Sequence, residues 1–148
     1  MTPIDALELM KLAHEGQVDK SGLPYWTHPV RVTELLADAP DYVKVAALLH
    51  DTLEDTDLTP DELLEIGLDS RSLDIILLVT RREDETYAAF IQRIVTSGNW
   101  WAIRVKLADN TDNLSRPLPP EMVGLHKRYL KARQVLLLAL GEYDENHG

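Results

Sequence analysis

Apolar residues recur every three to four positions along nearly the whole chain, a spacing typical of amphipathic helices. Thr2-Pro3 predicts the first helix start, since Thr caps helix N-termini well and Pro is favoured at the first helical position. Gly16 predicts the end of that helix. Similar signals predict further helices at about residues 28–38, 41–54, 60–66, 70–79, 87–96, 100–112 and 121–140.

No segment has a convincing strand pattern. The apolar run at residues 75–79 is ambiguous by itself, but Ser70, a predicted cap, and the flanking charges favour a helix. Gly141 predicts the end of the last helix, and residues beyond it are expected to fray. We therefore predict an all-α fold of about 7–9 helices, with one domain at residues 1–141 and a tail at residues 142–148.

Composition supports one globular domain and narrows its partners. The chain has 148 residues, 45% of them apolar, which is enough for a core of its own. The net charge of −10 argues against a nucleic-acid polymer or an anionic membrane as partner. The absence of cysteines excludes a disulfide scaffold, a thiolate zinc site and a cysteine nucleophile. No signal peptide or membrane span is visible, so we expect a cytoplasmic protein.

The charges are unevenly distributed. Residues 51–65 carry seven acids and no base, whereas residues 100–133 carry seven bases and three acids. The acidic segment fits either a metal site or a solvated helix face. In the basic segment, Lys127, Arg128 and Lys131 fit either contacts to distal phosphates or an exposed helix surface.

Three polar clusters lie in or beside apolar helices, at residues 27–29, 50–56 and 106–113. Each has an ordinary structural explanation: a histidine at a helix start, a charged helix end, or a cap followed by a loop. Only their combination indicates a functional site.

The second cluster is the most informative. Helical geometry places His50 and Glu54 on one face, and Asp51 and Asp55 on a neighbouring face about 100° away. An imidazole and several carboxylates would then reach one metal ion, and this donor set suits Mn²⁺, Fe²⁺, Zn²⁺ or Mg²⁺.

The clusters belong to longer motifs that resemble a known family. The segments at residues 13–17 and 22–29, then 46–56, 79–80 and 105–114, resemble HD-superfamily hydrolases of the RelA/SpoT type in order and approximate spacing. The likeness covers about residues 5 to 116. Since no synthetase domain is recognisable, the chain resembles a stand-alone small alarmone hydrolase of a single HD-type helical domain.

The resemblance implies a site and a reaction. It implies one divalent metal, expected to be Mn²⁺ although other divalent ions are possible, with the ligands His28, His50, Asp51 and Asp109. It implies that Glu54 and Asp55 position and activate the attacking water. It implies a small nucleotide as partner, contacted by Lys20, Tyr25, Lys106, Asn113 and Arg116. The reaction implied is hydrolysis of the 3′-pyrophosphate of a (p)ppGpp-type nucleotide, with release of pyrophosphate.

Two departures from the family pattern leave the substrate open. Asp19 stands where the family usually has an Arg that packs against the base, and Arg116 comes one position later than the usual Arg. The alternatives are a (p)ppApp hydrolase, an NADPH 3′-phosphate hydrolase, and a nucleotide-binding module that has lost catalysis. A purely structural helical protein is a further alternative, and a homo-oligomer is possible.

Overall fold

Helices are the main regular elements of the described chain, as the sequence predicts. The computed structural model describes residues 1–147, with side chains for residues 1–145, so Gly148 of the predicted tail lies outside the described residues. It contains α1 Pro3–Ala13, α2 Thr27–Glu34, α3 Asp41–Leu49, α4 Thr52–Asp55, α5 Pro60–Glu65, α6 Ser70–Leu78, α7 Tyr87–Thr96, α8 Trp100–Ser115 and α9 Val123–His147, with a 3₁₀ turn at Pro120–Met122. The predicted all-α fold is confirmed.

Helix α3 lies at the centre of the fold. It packs against α1, α2, α6 and α8, and Val43, Ala46, Ala47 and Leu49 are fully buried in it. The run of apolar residues on most of its sides is what such a central position requires. Helix α2 packs against both α3 and α8, so the polar residues of all three helices come together at one place.

The chain breaks between α3 and α4, where a continuous helix is predicted. The His50 ring nitrogen Nδ1 lies 2.6 Å from the Ala47 carbonyl oxygen, and the Thr52 hydroxyl donates to the Leu49 carbonyl at 2.7 Å. These side chains occupy carbonyls that another helical turn would use, so the backbone turns at His50 and Asp51. The prediction of one continuous helix at residues 41–54 is therefore wrong.

Two smaller boundary predictions also differ from the structure. Asp69, rather than Ser70, caps α6, because its carboxylate accepts a hydrogen bond from the Arg71 amide at 2.8 Å. Helix α9 continues through Gly141. Glycine ends a helix mainly by adopting a positive φ, and Gly141 does not adopt one.

The loop between α1 and α2 is organised by Asp19. One carboxylate oxygen of Asp19 accepts hydrogen bonds from the amides of Ser21 (2.8 Å) and Leu23 (3.0 Å). Gly22, between them, has a φ of 83°, a conformation that favours glycine.

No helix within residues 1–147 is both long and apolar enough to cross a membrane.

Candidate metal centre

Two histidines and a carboxylate from three different helices converge below the surface. The Nε2 atoms of His28 in α2 and His50 at the end of α3 lie 2.8 and 3.3 Å from one oxygen of Asp109 in α8. A carboxylate oxygen of Asp51 lies 3.2 Å from His50 Nε2. His28, His50 and Asp109 are buried, so these polar groups stabilise each other away from solvent.

The donor atoms fit a divalent metal ion. Ligand atoms of His28, His50 and Asp51 all lie within 4.8 Å of one another. Each histidine also has a partner on its other nitrogen: His28 Nδ1 lies 2.6 Å from an Asp112 carboxylate oxygen, and His50 Nδ1 contacts the Ala47 carbonyl. Such partners fix Nδ1 as the protonated nitrogen and leave Nε2 to ligate, as in metal-binding histidines. The cluster can therefore hold a divalent ion.

Charge in this cluster is strongly coupled. Burial opposes protonation of His28, but hydrogen bonds to Asp109 and Asp112 outweigh it and raise the His28 pKa. Burial likewise opposes ionisation of Asp109, but Lys106 and the two histidines outweigh it and lower the Asp109 pKa. The anionic carboxylates favour a cation among them, and a metal ion would take the place of the histidine protons.

Two further carboxylates, Glu54 and Asp55, come from the short helix α4 and line the same cavity. Desolvation, followed by the charge of Asp51, raises the pKa of both, and that of Asp55 rises to about 6. A carboxylate whose pKa is closer to neutrality accepts a proton more readily. The pair is thus suited to take a proton from water near the histidines.

The cavity above the cluster has a volume of about 770 Å³. The five predicted substrate contacts all lie on its wall: Lys20, Tyr25, Lys106, Asn113 and Arg116. Of the four predicted metal ligands, His28, Asp51 and Asp109 also line it, and His50 lies directly behind them. The structure therefore places all of the predicted site residues together.

Three of the predicted substrate contacts bind the carboxylates of the cluster itself. The Tyr25 hydroxyl donates to Asp51, Lys106 Nζ donates to Asp109 at 2.8 Å, and the Asn113 amide donates to Asp109 at 3.4 Å. Burial and the charge of Asp51 raise the Tyr25 pKa far above its usual value, so its hydroxyl stays a neutral donor. These residues orient the metal-binding carboxylates as well as facing the cavity.

Arg116 is held by partners on several sides. Its guanidinium donates to Asp19 at 2.5 Å and to the Asn113 side chain at 3.0 Å, and it lies 3.4 Å from His28 Nδ1. The other carboxylate oxygen of Asp19 accepts the hydrogen bonds of the Ser21 and Leu23 amides. Asp19, which stands where the family usually has Arg, therefore binds Arg116 and the loop amides. Its carboxylate has few acceptor positions left for a nucleotide base.

Asp112 and Arg31 complete the surroundings of His28, and sequence reasoning did not assign them these roles. Arg31 Nε donates to one Asp112 oxygen at 2.7 Å while the other oxygen contacts His28. The one available signal was that Asp112 follows Asp109 by three residues, which places both on one face of α8. Nothing local in the sequence indicates the contact with His28, 84 residues away.

Comparison with known proteins identifies relatives of this chain, although no protein-family model matches it. It is 35% identical over 143 residues to a probable GTP pyrophosphokinase of Mycobacterium leprae, covering 88% of this chain and 17% of the relative. It is 37% identical over 112 residues to a guanosine-3′,5′-bis(diphosphate) 3′-pyrophosphohydrolase of Haemophilus influenzae, covering 69% of this chain and 16% of the relative. It is also 37% identical over 114 residues to the bifunctional (p)ppGpp synthase/hydrolase SpoT of Escherichia coli, covering 69% of this chain and 16% of SpoT. The chain thus spans about one sixth of the length of these relatives.

A solved structure has the same fold. It is described as a metazoan orthologue of SpoT that hydrolyses ppGpp and plays a role in starvation responses. The TM-score is 0.74 at 24% sequence identity, over 99% of this chain and 95% of the other. At this identity the likeness establishes the helical fold.

Proposed function

Because this chain belongs to the HD-domain proteins of the RelA/SpoT type, we propose that it is a metal-dependent hydrolase of (p)ppGpp-type nucleotides. It would remove the 3′-pyrophosphate, so its substrate would be a small nucleotide. The observation that carries the proposal is the convergence of His28, His50, Asp51 and Asp109 beside the Glu54–Asp55 pair in one cavity. A binding module would need neither the ligands nor the acidic pair.

The ion we propose is Mn²⁺, bound by His28, His50, Asp51 and Asp109. Nitrogen and oxygen donors without a thiolate support this choice, although they also suit other divalent ions. When bound, the ion supplies Lewis acidity to a phosphoryl group and lowers the pKa of a bound water.

The chain's own residues supply the remaining chemistry. One carboxylate of the Glu54–Asp55 pair accepts a proton from the attacking water, whose oxygen forms a bond to phosphorus. The bond between phosphorus and the ribose 3′-oxygen breaks, and that oxygen takes up a proton from solvent, so pyrophosphate and a nucleotide with a free 3′-hydroxyl leave. Lys106, whose pKa is raised by the charge of Asp109 despite burial, stays cationic beside the reacting group.

One specific observation leaves the base of the substrate open. The carboxylate of Asp19, at the position where the family usually has Arg, is occupied by Arg116 and the loop amides. The usual Arg surface for stacking on a base is therefore missing from this loop. An adenine alarmone such as (p)ppApp, or the nucleotide NADPH, is a second candidate substrate.

A substrate panel tests the proposal. Purified protein with Mn²⁺ is incubated with ppGpp, pppGpp, ppApp, pppApp and NADPH, and the products are identified. We expect pyrophosphate from at least one alarmone and none after removal of the metal with a chelator. If no substrate is hydrolysed but ppGpp binds, the chain is a silent nucleotide-binding module and the hydrolase proposal is wrong.

A further inference from the structure

A group of cations lies on the cavity wall around a single aromatic ring. The guanidinium carbons of Arg81 and Arg128 lie 5.8 and 5.6 Å from the centroid of the Tyr87 ring, and Lys106 Nζ lies 5.9 Å from it. All four side chains line the cavity. The guanidinium carbons of the two arginines are therefore no more than about 11 Å apart, and both lie beside one ring.

These two arginines lack the carboxylate partners that most arginines of this acidic chain have. Among the described residues, Arg31, Arg71, Arg93, Arg104 and Arg116 each form an ion pair within 4.0 Å, whereas Arg81, Arg82, Arg128 and Arg133 form none. Of these four, only Arg81 and Arg128 line the cavity. The chain has 25 acids against 15 bases, so unpaired arginines that meet in a cavity need a physical reason.

The contacts of Arg81 leave its charge directed to the cavity. Its Nε donates to the Glu85 backbone carbonyl at 2.9 Å, which fixes the side chain without neutralising it. The Glu85 carboxylate is bound to Arg93 at 2.7 Å. Among the described residues, the Arg81 backbone amide is the donor to the carboxylate of Glu54, at 3.0 Å. The terminal amines of Arg81 are thus available to an anion.

Lys106 connects this group of cations to the metal centre. Its Nζ contacts Asp109 at 2.8 Å and also lies over Tyr87 and, at 5.0 Å, over Phe90. A ligand whose reacting phosphate lies at Asp109 would extend past Lys106 toward the two arginines.

We propose that Arg81 and Arg128, around Tyr87, form a second phosphate-binding subsite for a diphosphate group of the substrate. This inference rests on the proposed function, because the substrate there carries two separate phosphate groups. Guanidinium groups bind phosphate through charge-assisted and often bidentate hydrogen bonds. Concentrated positive charge also offsets the repulsion that a chain of net charge −10 exerts on a polyanion.

Two parts of the substrate have this chemistry: the 5′-diphosphate, and the outer phosphate of the 3′-pyrophosphate. The variants Arg81→Gln and Arg128→Gln each remove one charge from an exposed side chain. Arg82→Gln is the matched control, since Arg82 is exposed, adjacent in sequence and absent from the cavity wall.

Steady-state kinetics with the Mn²⁺-loaded protein test the subsite. We expect KM for ppGpp to rise about tenfold in Arg81→Gln and in Arg128→Gln, which is the typical loss of one hydrogen bond to a charged group. We expect kcat to change by less than about twofold, because binding and not chemistry is weakened. Arg82→Gln should match the wild type. If all three variants have the same KM, the subsite is ruled out.

Guanosine 3′-diphosphate, which has no 5′-phosphates, distinguishes the two sources. If the increase in KM disappears with this substrate, the subsite holds the 5′-diphosphate. If the increase persists, the subsite holds the outer 3′-phosphate. Either result supports the subsite and assigns it.

Failure of the hydrolase proposal would give a different result from failure of the subsite. If the wild type hydrolyses none of the nucleotides in the substrate panel, the hydrolase proposal fails, and calorimetric titration with inorganic pyrophosphate then decides the subsite. Wild type and Arg82→Gln should bind pyrophosphate about tenfold more tightly than Arg128→Gln. Equal binding by all three proteins would overturn the subsite independently of catalysis.

Discussion

Glu54 and Asp55 are adjacent in sequence, but their carboxylates have different surroundings. The Arg81 amide donates to Glu54 and fixes its orientation, whereas no donor among the described residues reaches the carboxylate of Asp55. Desolvation and then the charges of Asp51 and Glu54 raise the Asp55 pKa to about 6. In the proposed mechanism, Glu54 is therefore the member of the pair whose carboxylate has a fixed orientation.

This difference leads to a prediction for Glu54→Ala. The variant should still bind Mn²⁺, because Glu54 is not among the four proposed ligands, and kcat should fall by about 10²–10⁴, the usual contribution of a general base. Metal content measured by atomic absorption and kcat measured on the same preparation test this. Full activity in Glu54→Ala would remove Glu54 from the mechanism.

Asp109→Ala is the variant to compare with Glu54→Ala. It lacks the carboxylate oxygen that lies near the Nε2 atoms of both His28 and His50. Here metal binding and turnover should be lost together. An Asp109→Ala protein that keeps its metal but loses its rate would contradict the ligand set proposed above. The two variants thus separate loss of the ion from loss of the base.

At the scale of elements, the C-terminal half of α8 and its C-cap Arg116 supply several neighbouring residues of the site. Asp109, Asp112, Asn113 and Arg116 follow each other at intervals of one to three residues and lie around His28 and the cavity. Side chains three and four positions apart are neighbours on a helix, so one straight helix can present all of them. Helix α8 therefore supplies one proposed metal ligand, Asp109, and also the residues Asp112 and Asn113, which contact His28 and Asp109.

Sequence periodicity predicts most helices of this fold because apolar spacing and caps are local signals, as Thr2 and Thr59 illustrate. Sequence periodicity does not predict the break after Leu49, because the apolar pattern continues across the break. That break depends on the side-chain hydrogen bonds of His50 and Thr52 to backbone carbonyls.

The contact between α2 and α8 predicts an effect of Asp112→Asn. The amide keeps the shape of the side chain but holds His28 Nδ1 less well and leaves Arg31 without its carboxylate. We expect the Kd for Mn²⁺ to rise about 10- to 100-fold, as for other residues that orient a ligating histidine. Calorimetric titration with Mn²⁺ measures this directly.

The control for Asp112→Asn is Asp38→Asn, which disrupts the Asp38–Arg104 ion pair away from the cavity. Both substitutions remove one negative charge, so a general effect of net charge would appear in both. Unchanged metal affinity in Asp112→Asn would mean that Asp112 has no positioning role for His28.

At the scale of the whole molecule, the site exists only through long-range packing. His28 meets Asp109 across 81 residues, and His50 meets Asp109 across 59. Composition and helical spacing alone indicate candidate ligands but not their meeting, and the family resemblance supplied that expectation. The fold brings several carboxylates of an already acidic chain together, so their mutual repulsion is an energetic cost that a bound cation relieves.

This coupling of charge and fold predicts that metal binding stabilises the whole molecule. At a free Mn²⁺ concentration 100 times Kd, binding to the native state alone adds about 2.7 kcal/mol to the free energy of unfolding. For a domain of this size, that corresponds to a rise in Tm of about 5–10 °C. Scanning calorimetry with and without Mn²⁺, at ionic strength matched with NaCl, measures the shift. Asp109→Ala should show no such rise, and an equal rise in both proteins would mean that the ion acts on surface charge and not at the cluster of His28, His50 and Asp109.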